Sequence, residues 1–206
     1  MNIAVSALAL SGWAVLAVTL EGLAEVRQPA PTLGAVRWGV RVLSAEFAVA
    51  AALIARPLPA AFGCGIACVA LVAAGFGDAR TGYIFDSITI PGTLLAAAAS
   101  LSAGQGLAAA GAVVAISGTF GLLVVLSRGR WMGLGDVKAM LLIGAAFGPL
   151  QTAIAIFTAC LSGLVSAGFQ RRLARGATIP FGPHLAVGAM FTLVAGEHVA
   201  HVLMGP

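Results

Sequence analysis

Long apolar runs separated by short polar breaks dominate this chain, and few of the runs alternate with a period of two. A bilayer-spanning helix needs about 20 consecutive apolar residues, whereas membrane barrel strands alternate, so the pattern predicts helices. Eight candidate spans fall at roughly 2–20, 38–55, 59–77, 88–103, 107–126, 136–149, 150–169 and 184–203. Two of them fit poorly as full crossings. The run 136–149 has about two-thirds of the residues that a straight span needs. The run 88–103 carries Pro91 and Gly92 near its start, where a first helical turn tolerates proline best. The expected fold is all-α: a polytopic membrane helix bundle of about eight transmembrane helices, six to eight with the two weak runs in view. It forms a single integral-membrane domain over residues 1–206, with a motif-bearing core at about 60–203.

Composition removes the soluble classes. Hydrophobic residues make up 60% of the chain and charged residues 9%, against about 25% charge in a soluble domain. Most of the 27 glycines are read as small residues that let membrane helices approach closely. The run 2–20 lacks a basic leader, and EGLAEV is a poor cleavage match, so it is read as a span and not a signal peptide. The stretch after it, with Pro29 and Pro31, reads as a cytoplasmic loop.

The formal charge of +4 is accounted for by topology, with no nucleic-acid partner. With eight spans, Arg27, Arg37, Arg80, Arg128, Arg130, Arg171, Arg172 and Arg175 fall on one side, joined by Arg41 and Lys138 just inside span ends. The other side receives only Arg56. Positive charge marks the cytoplasmic side of a membrane protein. The expected placement is a cytoplasmic (inner) membrane, both chain termini outside, and the lipid bilayer as the constant partner. Cys64 and Cys68 in CGIAC lack the second CxxC pair of a zinc ribbon, and Cys160 stands alone, so no metal is expected.

Aspartate occurs only at 78, 86 and 136. Asp78 closes one apolar run in GFGDARTGYIFD and Asp136 opens another in RWMGLGDVKAMLLIG, on the same predicted face. Carboxylates at a bilayer edge are costly and usually functional. Brought together by folding, two of them cannot both ionise, because each charge and the apolar surroundings disfavour the other's. The pair then offers an ionised base to activate water and a neutral acid to donate to a peptide carbonyl. Gly133 and Gly135 flank Leu134 just before Asp136, permitting unusual backbone angles and close approach of another chain. The plainer reading of Asp136 is a helix N-cap. No Ser–His pair or activated cysteine competes, and no cofactor is expected. His184 opens the last run, and His198 and His201 lie near its far end, a membrane thickness from the aspartates.

GLGDVKAMLLIGAAFG resembles the GxGD segment of the type IV prepilin peptidases, aspartic membrane proteases that trim leader peptides from prepilins. GDARTGYIFDSITIP resembles their first-aspartate segment, and ATIPFGPHLAVGAM their Pro-Phe-Gly-Pro segment, all in family order over roughly residues 70–190. The resemblance implies Asp78 and Asp136 as catalytic pair. It matches Gly133, Gly135 and Lys138 to family residues, and Pro180, Phe181, Gly182 and Pro183 to a segment that positions substrate. Its implied partners are prepilin or pseudopilin precursors, cut at the cytoplasmic face just before their hydrophobic stretch.

Two departures stand out. Phe85 occupies the place where the family usually has proline, and Asp86 is read as a turn or cap residue. The loop after the first run lacks the paired CxxC motifs of the family's N-methyltransferase domain, so a peptidase-only member is expected. Arg80 and Lys138 read either as tuners of the dyad or, more plainly, as anchors at a helix end. Two other functions stay open at this stage: a proton- or cation-coupled transporter, since membrane carboxylates also serve as relays, and a catalytically silent relative.

Overall fold

The computed structural model describes residues 58–169 and 180–204, which form six helices. These are α1 (Leu58–Thr81), α2 (Asp86–Ser102), α3 (Gly106–Ser127, with a π-helical turn at Val113–Ser117), α4 (Leu134–Phe147), α5 (Pro149–Phe169) and α6 (Gly182–Met204). The runs 2–20 and 38–55, the loop with Pro29 and Pro31, and Arg171, Arg172 and Arg175 lie outside the described residues. Glycines in left-handed backbone end two of the helices: Gly82 (φ +70°) closes α1, and Gly148 (φ +79°) separates α4 from α5. Pro149 then opens α5, at a position whose amide needs no helical partner.

The expected bundle of about eight transmembrane helices, six at the least, is overturned. Among the described residues only four helices are long and apolar enough to cross a membrane: Pro59–Ala79, Gly106–Ser127, Pro149–Gly168 and Gly182–Met204. The runs at 88–103 and 136–149 do not qualify. They form α2, of 17 residues, and α4, of 14. At 1.5 Å per residue these reach about 26 and 21 Å, short of a hydrocarbon core of about 30 Å. The reason α4 misleads is its surroundings. Val137, Ala139, Met140 and every residue from Leu142 to Phe147 are buried in protein. A helix that is apolar all round fits a protein core as well as a membrane.

Helices consecutive in the chain alternate in direction. Gly63 of α1 faces Ala99 of α2, and Gly92 of α2 faces Ala70 of α1, so the two are antiparallel. Asp86, Gly92 and Ser100 of α2 meet Lys138, Leu142 and Ala145 of α4 in the same order, so these two run parallel. Gly163 of α5 lies against His184 of α6, while Gln151 of α5 lies near Gly196. One end of the bundle therefore collects the C-terminal end of α1 and the first turns of α2, α4 and α6.

Lipid tails are as apolar as leucine, so packing and buried hydrogen bonds, more than hydrophobic transfer, hold such helices together. A Cβ at Gly188 of α6 would overlap the carbonyl oxygen of Ala155 in α5, and one at Gly144 of α4 would come within 3.3 Å of the Val113 amide nitrogen of α3. Ser100 Oγ donates to the Ala145 carbonyl at 2.6 Å, and Cys64 Sγ to that of Ala146 at 3.4 Å. Large apolar side chains such as Val125 of α3 and Phe157, Leu161 and Leu164 of α5 point outward. That surface suits lipid and not water.

Candidate active site

Asp78 sits in the last turn of α1 and is 7% exposed. Its Oδ2 accepts a hydrogen bond from the Gly182 amide at 2.8 Å. Gly182 is the first residue of α6, so the carboxylate rests where free amides and the helix dipole favour negative charge. The seat requires glycine. A Cβ at 182 would lie 2.9 Å from both Cβ and Oδ2 of Asp78, and one at Gly75 would lie 3.0 Å from Cα and N of Pro183. The Pro-Phe-Gly-Pro segment thus meets the first aspartate through backbone, with Gly182 and Pro183 pressed onto α1.

Asp136 is the third residue of α4, not its N-cap; Gly133 holds that place. The Gly133 amide donates to Asp136 Oδ2 at 3.3 Å, which is one half of a capping box. The other half needs a side chain that glycine lacks. Gly133 has φ −80° and ψ 152°, extended backbone open to any residue, so the expected unusual angle is not found there. Gly135 serves close approach instead: a Cβ there would come within 3.0 Å of Ile84 Cβ.

Burial pushes the Asp136 carboxyl up, the charge of Asp78 pushes it further, and the Gly133 amide partly offsets both, leaving it at about 6. Asp78 is therefore near enough for its charge to act on Asp136, from a helix position 58 residues earlier in the sequence. Such a site can hold one proton between two carboxyls, an acid and a base together. Among the described residues no group of three His, Cys, Asp or Glu side chains could hold a metal ion.

The remaining predicted residues fall around this end. Phe181 is half-buried against the core, with its ring centroid 6.4 Å from that of His184, and Pro180 precedes it, also half-buried. Phe85 packs its ring on α1 beside Asp78, 3.1 Å from where a Cβ of Gly77 would stand. Asp86 begins α2 and pairs with Lys138, Nζ to Oδ1 at 2.6 Å. Spacing along the chain gave no sign of that pair. Also unforeseen is the buried His184, whose Nδ1 lies 2.8 Å from Ser162 Oγ on α5. His198 and His201 lie at the opposite end of α6.

The model of the type IV leader peptidase family matches residues 65–168, which include both Asp78 and Asp136. A prepilin leader peptidase/N-methyltransferase of Neisseria gonorrhoeae is 34% identical over 135 residues, covering 63% of this chain and 47% of that protein. One from Burkholderia pseudomallei strain 1026b is 31% identical over 167 residues, covering 76% of this chain and 54% of that protein. The chain spans about half the length of the curated relatives it matches. No solved structure matches it. By the extent of these matches, the chain belongs to the type IV leader peptidase family.

Proposed function

We propose that the protein is an aspartic endopeptidase that removes leader peptides from type IV prepilins or pilin-like precursors, with Asp78 and Asp136 as its catalytic pair. The observation that carries the reading is that the Asp78 and Asp136 carboxyls lie at one end of the bundle, where the charge of Asp78 acts on Asp136. Asp136 is raised to about 6 partly by the charge of Asp78, as a dyad sharing a proton requires. Titration belongs to the pair, so no fixed division of acid and base is assigned. The ionised member takes a proton from water as it attacks the scissile carbonyl. The neutral member donates to the carbonyl oxygen, and that proton later reaches the leaving amine.

Location supports the substrate class. Both aspartates lie at one end of the bundle, beside exposed Tyr83 and Trp131, residue types that gather at membrane–water boundaries. A membrane-anchored precursor diffusing in the bilayer meets the site at that depth, with its cut point just outside its hydrophobic stretch. Among the described residues Arg80, Arg128, Arg130 and Lys138 all fall at that end, which favours the cytoplasmic face of an inner membrane. Methyl transfer, named for the relatives, is not part of the proposal.

Co-expression with a prepilin from the same genome tests the reading. Mass spectrometry is expected to find the precursor shortened by its leader. Finding every prepilin of that genome left whole would count against it.

A further inference from the structure

We infer that the Lys138–Asp86 ion pair is a clamp that sets the separation of the two aspartates; its catalytic consequence rests on the peptidase reading above. Asp78 is seated on α6 by the Gly182 amide, and Asp136 is braced within its own turn by Gly133. Neither bond joins one aspartate to the other. Further along the helices Cys64 bonds Ala146 and Ser100 bonds Ala145, but at the aspartate end two contacts that flank Asp136 in sequence tie α4 to the corner after α1. On one side, Gly135 packs against Ile84. On the other, Lys138 Nζ reaches Asp86 Oδ1 at 2.6 Å. Ile84 and Asp86 both belong to the corner that begins at Gly82, directly after the last turn of α1, which carries Asp78. A shift of that corner changes the distance between the carboxyls.

Strength alone does not account for the pair. Its side chains are 38% and 54% exposed, and ion pairs so open to solvent add little stability. Position does account for it, because a misplacement of about 1 Å can cost a reaction roughly a hundredfold in rate. The Lys138 ammonium is engaged by the Asp86 carboxylate. Its effect is therefore through Asp86 and the corner, a positioning role.

The test uses the full chain in vesicles with two readouts. Asp86→Asn and Lys138→Met break the pair, while Asp86→Glu and Lys138→Arg keep its charges. In the first readout, prepilin cleavage, the breaking variants are expected to lose about tenfold in kcat with KM unchanged, and the conservative variants to recover most of it. The second needs no activity. Spin labels at Tyr83→Cys and Leu134→Cys, both exposed, are read in a Cys160→Ala background. One narrow distance is expected in the parent and in the conservative variants, and a broadened or shifted one in the breaking variants. An unchanged distance in Asp86→Asn and Lys138→Met overturns the clamp, whatever the cleavage result. Wild-type kcat in those two variants, alongside an active parent, overturns it equally. A parent that cleaves no prepilin but shows the distance effect sinks the peptidase reading and leaves the clamp standing.

Discussion

Asp136 is held in a state that folding does not favour. Its carboxyl stands at about 6 against an ordinary 3.8, so the folded chain binds that proton more tightly than the unfolded chain does. The stabilisation is complete below the unfolded value and is lost as pH rises through about 6, leaving a charged group that costs the fold at neutral pH. A shift of about two units corresponds to roughly 3 kcal/mol as an upper bound. Asp136→Asn removes the charge while retaining an oxygen for the Gly133 amide. It is expected to resist denaturant better than wild type at pH 8, by about 1–3 kcal/mol, with the difference gone near pH 4. A variant weaker than wild type at pH 8 contradicts this account. At Gly182 the constraint is steric. Gly182→Ala pushes a methyl group into Asp78, and leader cleavage is expected to fall at least tenfold even where the protein folds.

At the scale of elements, the turn between α1 and α2 holds Phe85, at the place where the resemblance to the family implied proline. Phe85 has φ −77°, close to the roughly −65° that a proline ring imposes. Its amide makes no hydrogen bond among the described residues. Phe85→Pro is therefore expected to fold and to cleave within about threefold of wild type, measured on the same prepilin. A loss beyond tenfold would mean that the ring packed on Gly77 matters more than the turn. Asp78 and Asp136 stood out as carboxylates in an apolar chain, and Gly182 through the likeness of its segment to the family's Pro-Phe-Gly-Pro. Elements were harder. The run 136–149 looked like a span because a helix wrapped in protein and one wrapped in lipid share a composition. The partners of Lys138 and His184 were not legible at all, since they come from helices distant in sequence.

At the scale of the whole molecule, α6 runs from Gly182 at the aspartate end to Met204 at the other, so the two ends face opposite sides if it crosses. With the aspartate end cytoplasmic, Tyr83→Cys is expected to react with an impermeant thiol reagent only from the cytoplasmic side. Val202→Cys is expected to react only from outside, both in a Cys160→Ala background. Labelling of both from one side would break the alternation described above. The central claim is the pairing of Asp78 with Asp136, and leader cleavage by purified wild type, Asp78→Asn and Asp136→Asn in identical vesicles tests it most directly. The account predicts cleavage by wild type and a loss of at least a thousandfold in each variant, because one carboxyl cannot serve as both acid and base at once. Cleavage by either variant at the wild-type rate would contradict it.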